Sequence, residues 1–413
     1  MSGPTGHSHG SMDVVLTNIG TIITGDWRNP FAKGDEIYFS NGKIKTVGKV
    51  DQAVKDAADL VVDLGGMTVI PGLIDSHVHT TFGDYTPRQK TVGFLESYLH
   101  GGITSVISAS EIHVPGRPSD VAGIKALALA AQRSFLTYRP GGMRVYAGSV
   151  ILEPGLVEKD FAELEEQGVW LAKVGFGAFS NPSDVAPIVA WARKHKFKVM
   201  CHTGGASIPG SQPISADHLM RIQPDIAGHV NGGPIAMSDP DMHRIVKETT
   251  MALQIAQAGN IRSSVLCARL AEETGNFDRL LMSSDTPTGT GMMPLGTIKT
   301  LTEMCTLAGI APEKVLACAT GNVANVYGFN SGFIAPDRDA DITVIDVSHG
   351  SVADNALDGM AIGDIPAIGA VISGGVPRFL YKSRNTPPPL RKMVITQNRC
   401  LQTFIEDTPY HCC

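Results

Sequence analysis

Apolar positions along this chain fall into short runs, and the spacing between the runs changes twice. Between residues 14 and 66 the runs have strand length and are separated by turn residues, with Asn41-Gly42 at the turn of a predicted hairpin. From residue 67 the runs alternate with helical patterns, and after residue 329 strand-like runs return. The pattern therefore predicts an α/β region that is preceded and followed by β structure.

The central region contains eight apolar segments of strand length, most of them followed by a helical pattern such as those at 120–138 and 183–196. The segments are apolar on both faces, as the strands of a buried parallel sheet are. Eight such units in about 220 residues match a (β/α)₈ TIM barrel. In chain order the segments read TVIPGLIDSHVH, ITSVISAS, MRVYAGSVIL, GVWLAKVGFG, KVMCHTGG, DIAGHVNGG, TMALQIAQ and RLLMSSD.

The strand-like segments at the two ends of the chain are each too small to bury a core alone. We therefore expect one composite β-sandwich, built from residues 13–66 and 329–382, that flanks a barrel of residues 67–328. Residues 383–413 are expected to form a tail over the surface or a neighbouring subunit. Residues 1–12 are expected to be a flexible leader.

Composition excludes several classes of function. The 413 residues are 43% hydrophobic and 18% charged, as in ordinary soluble globular proteins. A net charge of −6 offers no basic surface to nucleic acid or anionic lipid. No apolar stretch approaches the roughly 18 residues of a membrane span, and the N-terminal residues do not resemble a secretory signal. Seven scattered cysteines, an odd number, favour a reducing cytoplasm over a disulfide framework.

His77 and His79 follow the apolar part of the first barrel segment. Alternate residues of a strand point the same way, so both imidazoles would face one side at the end where barrel enzymes place their chemistry. Two such imidazoles form half of a metal site. The pair alone is a weak signal, because histidines also serve as hydrogen-bonded core residues.

Four later segments also end in groups that can bind metal. They are Lys173, His202, His229 and Asp285. Each has a plainer interpretation alone, since a lysine at a strand end is usually a surface charge and an aspartate before Thr-Pro is usually a helix cap. Their joint occurrence at the ends of successive strands favours a metal site. Asp285 would also act as the catalytic base, taking a proton from water and passing it to a leaving nitrogen.

Residues 71–79, PGLIDSHVH, closely resemble the opening metal motif of the amidohydrolase superfamily. The later lysine, histidines and aspartate stand in that superfamily's order, and the resemblance extends from about residue 13 to residue 385. It implies two divalent ions, most simply Zn²⁺ at both positions, with Fe²⁺ or Mn²⁺ as the alternative at one of them. It assigns His77, His79 and Asp285 to the first ion, His202 and His229 to the second, and Lys173, carbamylated by CO₂, as the bridge.

Longer segments are similar to the enamidases, the ring-opening amidohydrolases of anaerobic nicotinate breakdown. The similar segments are GDYTPRQK at 83–90, PGRP at 115–118, HTGG at 202–205, HVNGGP at 229–234 and KSRNTPP at 382–388. The similarity implies hydrolysis of 6-oxo-tetrahydronicotinate to 2-formylglutarate by a metal-bridging hydroxide, with release of ammonia. It also implies a small-molecule substrate and a homo-oligomer, a tetramer by analogy.

A substrate that carries a carboxylate needs a cationic anchor, and a guanidinium binds a carboxylate through two parallel hydrogen bonds. Arg88, after the first strand, is the leading candidate. Weaker candidates for substrate contact lie in other loops at the same end of the barrel; they are Tyr85, His113, Arg117, Thr203 and Asn231. Each of these residues is equally consistent with a structural role in its loop.

Two alternatives remain open from the sequence. The first is another amidohydrolase specificity, such as an imidazolonepropionase-like enzyme or a peptidase of blocked or proline-containing amides. The second is a barrel that binds without catalysing, although the full set of candidate ligands disfavours it. Ammonia release from 6-oxo-tetrahydronicotinate would distinguish the enamidase-like activity from both.

Overall fold

A computed structural model describes residues 12–79, 91–111, 116–175, 177–206, 210–233, 235–287 and 293–399. Its strands, in chain order, are β1 (Val14–Thr17), β2 (Thr21–Ile22), β3 (Glu36–Ser40), β4 (Lys43–Gly48), β5 (Leu60–Asp63), β6 (Thr68–Pro71), β7 (Leu73–Val78), β8 (Ile103–Ser108), β9 (Arg144–Tyr146), β10 (Ser149–Ile151), β11 (Leu171–Val174), β12 (Lys198–His202), β13 (Ile226–Gly228), β14 (Ala252–Ala256), β15 (Leu280–Ser283), β16 (Ile342–Asp346), β17 (Ala367–Ser373), β18 (Val376–Phe379) and β19 (Val394–Asn398).

Helices separate most strands of the central region, and two more lie between terminal strands. They are α1 (Gln52–Ala57), α2 (Thr91–Leu99), α3 (Val121–Leu136), α4 (Glu158–Glu166), α5 (Ala186–Lys194), α6 (Ala216–Ile222), α7 (Asp239–Glu248), α8 (Ile261–Glu273), α9 (Gly296–Glu303), α10 (Pro312–Val315), α11 (Gly321–Tyr327) and α12 (Ala356–Ile362). Shorter helical turns lie at Pro140–Gly142, Pro182–Val185, Phe277–Arg279, Met304–Ala308 and Leu316–Ala319. Over the described ranges, every helix is too short or too polar to cross a lipid bilayer.

The central strands form two parallel sheets, one in the order β7-β8-β9 and one running from β10 to β15. The chain passes from one sheet to the other between β9 and β10. On the opposite side, the Asp285 N–H donates to the His77 carbonyl at 2.9 Å, and the His79 N–H donates to the Thr286 carbonyl at 3.0 Å. Parallel strands with intervening helices confirm the predicted α/β class.

Each central strand is apolar on both faces because it packs between an inner cluster and the helices. Side chains from β7, β8 and β11 to β15 form the inner cluster, which includes Ile74, Ile107, Leu171, Met200, Ile226, Ala252 and Leu281. Residues that alternate with these, such as Ala172 and Val199, belong to the larger core shared with the helices.

The two ends of the chain together build two five-stranded sheets, in the orders β19-β5-β1-β3-β4 and β18-β17-β16-β6-β2. Residues of both sheets belong to one buried apolar cluster, to which Leu16 and Phe39 contribute from one sheet and Val69 and Val344 from the other. The predicted hairpin is confirmed. Asn41 and Gly42 have φ of 52° and 70°, the backbone conformation that a tight two-residue hairpin requires.

Three boundaries differ from those that we predict from the sequence. The first barrel segment is two strands: β6 pairs with β16 in a terminal sheet, and β7 pairs with β8 in a parallel sheet. The third segment divides into β9 and β10 at Gly148, whose φ of 97° interrupts an extended strand. The segment after residue 383 does not only cover the surface, since β19 pairs with β5 as an edge strand.

Asp339 links the terminal sheets to the central strands. Its carboxylate accepts hydrogen bonds from Lys43 Nζ at 2.5 Å and from Arg144 Nη1 at 2.9 Å. Burial by itself would raise the pKa of Asp339, but these hydrogen bonds and the Arg144 charge lower it to about 2. The paired charges therefore hold the β4 hairpin end against the start of β9.

Candidate metal centre

The six residues predicted as metal ligands lie at the C-terminal ends of central strands. We call them the six-residue cluster, and its members are His77, His79, Lys173, His202, His229 and Asp285. All six are buried, with at most 8% of the residue exposed. Because the C-terminal ends of parallel strands meet at one side of the sheet, residues far apart in sequence come into contact there.

The Asp285 carboxylate lies between His77, in β7, and His79, directly after it. Its Oδ1 atom is 3.1 Å from Nε2 of His77 and 3.3 Å from Nε2 of His79. The candidate ligand atoms of His77, His229 and Asp285 all lie within 4.8 Å of one another. Candidate metal ligands from the ends of β7, β13 and β15 therefore lie close enough to bind one ion.

The remaining members of the cluster extend this contact. Nζ of Lys173 lies 3.4 Å from Nε2 of His77 and 3.4 Å from Sδ of Met200. Nδ1 of His202 lies 3.1 Å from Nε2 of His229, whose ring centroid is 5.3 Å from that of His77. The structure therefore brings all six predicted residues into one connected cluster.

Residues that were not predicted as ligands form hydrogen bonds with the imidazole rings of His77 and His79. Nδ1 of His77 lies 2.7 Å from Oε1 of Gln254, and Nδ1 of His79 lies 2.8 Å from Oγ of Ser110. Asp75 accepts the backbone N–H groups of His77 and Ser284 on Oδ1, at 3.2 and 3.1 Å. Sequence reasoning missed these residues. The available signal was a polar side chain inside an otherwise apolar strand.

Burial lowers the pKa values of three imidazoles, the Lys173 charge adds to this shift, and the Asp285 charge opposes it. Burial lowers the pKa of His202 to about 4, and burial assisted by neighbouring charge lowers the pKa values of His77 and His229 well below the usual range. Burial alone would raise the pKa of Asp285, but its histidine neighbours hold it well below the usual range. The cluster therefore presents His77, His202 and His229 as neutral imidazoles and Asp285 as an ionised carboxylate, the forms that bind metal ions.

Burial also lowers the pKa of Lys173, to about 8. Among the groups that act on it, Asp285 opposes the shift by favouring the charged amine. A lysine with this pKa carries a substantial fraction of neutral amine at mildly alkaline pH. The amine is therefore available as a nucleophile, which an ordinary surface lysine is not.

The backbone is strained at two members of the cluster. His229 has φ of 37° and Asp285 has φ of 55°, a region that non-glycine residues adopt infrequently. Such conformations persist where surrounding contacts impose them, and they concentrate at functional sites. At Asp285, the N–H bond to the His77 carbonyl is one of those contacts.

A cation fits the contacts in this cluster. Gln254 Nε2 donates to the Ser76 carbonyl at 3.2 Å, so Gln254 Oε1 faces His77 and Nδ1 of His77 must carry the ring proton. Nε2 of His77 is then an acceptor, 3.1 Å from the acceptor Oδ1 of Asp285. Two buried acceptors at this distance repel each other unless a positive charge lies with them. The protonated Lys173 amine, 3.4 Å from Nε2 of His77, can supply that charge, and a metal ion at a bond length of about 2 Å would supply it more strongly.

His202, at the end of β12, and His229, directly after β13, give the same indication. Nε2 of His202 lies 2.6 Å from the Gly205 carbonyl and must donate to it, which leaves the Nδ1 lone pair facing His229. Nδ1 of His229 is buried with no hydrogen-bond partner among the described residues. A donor set of neutral imidazoles, a carboxylate and a convertible amine suits Zn²⁺ and related ions.

The predicted substrate contacts are only partly within the described residues. Arg88, Tyr85 and His113 lie outside them. Thr203 is buried and donates to the carbonyls of Gly228 and His229 at 3.0 and 3.2 Å. Its substrate-binding role stays a prediction.

Asn231 and Arg117 also make contacts inside the protein. Asn231 Nδ2 donates to the Ala256 carbonyl at 2.7 Å, and its Oδ1 accepts the Ala256 N–H at 2.9 Å, which fixes the loop after His229. Arg117 Nη1 donates to Glu153, a buried carboxylate two residues beyond β10. These contacts give both side chains structural roles, and direct contact with substrate stays a prediction.

No protein-family model matches the chain. The chain is 46% identical over 379 residues to the enamidase of Eubacterium barkeri, which covers 91% of this chain and 98% of the relative. The crystal structure of an enamidase, described as a new member of the amidohydrolase superfamily, matches with a TM-score of 0.88 and 45% identity over 93% of this chain and 100% of that chain.

A β-aspartyl dipeptidase from Fervidobacterium islandicum matches with a TM-score of 0.60 at 19% identity, over 93% of this chain and 99% of that chain, which shows likeness of fold alone. The match to enamidase shows more than the fold, because it combines high sequence identity with nearly complete coverage of both chains. The chain therefore belongs to the amidohydrolase superfamily, as a member of its enamidase family.

Proposed function

We propose that this protein hydrolyses the C–N bond of a small cyclic amide at the six-residue cluster. The observation that carries the proposal is the 3.1 Å contact between two acceptors, Nε2 of His77 and Oδ1 of Asp285, in a buried site of an enamidase family member. A cation at that point would serve amide hydrolysis, in which negative charge develops on the carbonyl oxygen.

Two divalent cations suit the donor set, with Zn²⁺ as the first choice and Fe²⁺ or Mn²⁺ at one of the two positions. His77, His79 and Asp285 would hold one ion, and His202 and His229 the other. When bound, such ions make water nucleophilic at neutral pH and polarise a substrate carbonyl. The neutral imidazoles that burial maintains are ready to bind without first losing a proton.

Lys173 would join the two ion positions after carbamylation. Its neutral amine would attack CO₂, a new N–C bond would form, and one proton would leave the nitrogen, so a neutral amine would become an anion with two oxygen donors. The ammonium form cannot bind a metal, because it has three donors and no lone pair. The pKa of about 8 makes the required neutral amine accessible near neutral pH.

Asp285 would move the proton during the reaction. Its carboxylate accepts a proton from the attacking water as the bond from oxygen to the amide carbon forms. It then returns the proton to the ring nitrogen as the C–N bond breaks. The low pKa that its histidine neighbours maintain keeps the carboxylate ionised and ready to accept.

The proposed substrate is 6-oxo-1,4,5,6-tetrahydronicotinate. Opening of its lactam ring gives an enamine, which tautomerises to an imine. A second water then releases ammonia and leaves 2-formylglutarate. Arg88 remains the leading candidate for the carboxylate anchor, for the reason given from the sequence.

The proposal extends to the architecture around the site. The two parallel sheets would be the two parts of one (β/α)₈ barrel, and the two terminal sheets would pack as a flanking β-sandwich. The scattered cysteines support a cytoplasmic location. A homo-oligomeric state, a tetramer by analogy, rests on family likeness alone.

Ammonia release tests the proposed function. Protein reconstituted with Zn²⁺, or with Zn²⁺ and Fe²⁺ under anaerobic conditions, should release one ammonia for each 6-oxo-tetrahydronicotinate consumed. Metal-free protein should release none, since the polarising cation is then missing. Absence of turnover in protein shown to contain two ions would remove the enamidase-like proposal and favour another amidohydrolase specificity.

A further inference from the structure

Gln254 is a fully buried glutamine in the middle of β14, a strand that contributes none of the predicted ligands. Its neighbours in the strand are apolar and belong to the buried cores. A buried primary amide costs stability unless both its oxygen and its nitrogen are hydrogen-bonded. Its presence therefore calls for a specific set of partners.

The partners of Gln254 divide by chemistry. Nε2 donates to the carbonyl and to Oγ of Ser76, at 3.2 and 2.8 Å. Oε1 accepts from Nδ1 of His77 at 2.7 Å and from the backbone N–H of His229 at 3.3 Å. A carbonyl oxygen can only accept and a backbone N–H can only donate, so these contacts fix the orientation of the amide without ambiguity.

The orientation has a consequence for each histidine. It holds His77 with its proton on Nδ1 and its lone pair on Nε2, the atom 3.1 Å from Asp285. It also fixes the backbone of His229, which stands in a strained conformation with φ of 37°. In the proposed function the two histidines serve different ions, so one amide oxygen orients a ligand of each.

We infer that Gln254 is the positioning residue that couples the two ion positions, through one oxygen that is shared by His77 and His229. This inference rests on the proposed function, because the two ion positions that Gln254 would couple are part of that proposal. Gln254 is not itself a ligand. Its two hydrogen bonds fix the direction of the Nε2 lone pair of His77 and the position of the His229 backbone relative to each other.

Two substitutions separate the acceptor role of Gln254 from its donor role. Gln254→Glu keeps an oxygen that accepts from His77 and His229 but loses the N–H groups that bind Ser76. Gln254→Leu has a similar size and loses both functions. If positioning is the role, Gln254→Glu should keep most of the Zn²⁺ affinity, whereas Gln254→Leu should bind Zn²⁺ about 10- to 100-fold more weakly at both positions.

Zn²⁺ affinity and stoichiometry would be measured by competition with a chelating dye, and the stability of the metal-free forms by thermal unfolding. Gln257→Leu is the matched control, since its side chain makes no hydrogen bond to the cluster among the described residues, and it should bind Zn²⁺ as the wild type does. In metal-free wild type, ¹⁵N NMR should show the Nδ1-protonated form of His77, and this signal should be lost in Gln254→Leu.

Three outcomes would overturn the inference. One is unchanged Zn²⁺ affinity in Gln254→Leu. Another is an equal loss in Gln254→Glu and Gln254→Leu, which would assign the effect to the Ser76 contacts and hence to structure alone. The third is a loss confined to one of the two ions. Failure of wild-type protein to bind Zn²⁺ at all would instead contradict the proposed function.

Discussion

Replacing Asp285 with asparagine is expected to lower kcat for the cyclic amide by about 10⁴-fold, near the upper end of what loss of a general acid–base group costs. Asparagine keeps the shape of the side chain and an oxygen near His77 and His79, so much of the metal should remain bound. It cannot accept a proton from water at neutral pH. The loss should therefore fall on kcat and leave metal content largely intact.

The Asp285→Asn measurement combines the initial rate of ammonia release with metal analysis of the same sample. Asp278→Asn is the matched control, because it makes the same change at an exposed aspartate just before β15. That variant should turn over at the wild-type rate. If the Asp285→Asn protein retained both metals and worked within about tenfold of the wild-type rate, the proton would be carried by another group.

Replacing Lys173 with methionine is expected to remove the link between the two ion positions. Methionine has a similar length and fits beside Met200, so the fold should persist. Without the amine no carbamate can form, and the protein should hold at most one ion tightly. Turnover should fall by more than about 100-fold, since even loss of an outer-shell partner can cost that much.

Bicarbonate provides the control for the Lys173 prediction. Metal-free wild-type protein, reloaded with Zn²⁺ in CO₂-depleted buffer, should regain little activity until bicarbonate is added. The Lys173→Met variant should not respond to bicarbonate at all. Full recovery of the wild type without CO₂ would show that the lysine is not carbamylated, and full metal content in Lys173→Met would show that it is not a bridge.

The cluster could be predicted from the sequence because its members obey simple rules. The alternation of strand residues places His77 and His79 on one face, and the ends of parallel strands meet on one side, so Lys173, His202 and Asp285 had to approach them. Six of the eight apolar runs each correspond to a single strand, and the first contains both β6 and β7. The third divided because Gly148 adopts a conformation that no apolar pattern indicates.

The supporting residues could not be predicted in the same way. Gln254 contacts His77 across 177 positions of sequence. That contact depends on how far β7 and β14 are shifted along their axes relative to each other, which a local sequence pattern does not specify. The same holds for β19, which pairs with β5 from the far end of the chain. An exposed edge strand has too weak a hydrophobic pattern to be distinguished from a polar tail.

The central claim is that the six-residue cluster holds two metal ions for cyclic amide hydrolysis. The most direct test is a crystal structure of metal-replete protein with anomalous scattering recorded at the Zn absorption edge. The account predicts two ions, one against His77, His79 and Asp285 and one against His202 and His229, joined through a lengthened Lys173 side chain. Metal-replete protein whose ions lie elsewhere, with these six side chains touching none of them, would contradict it.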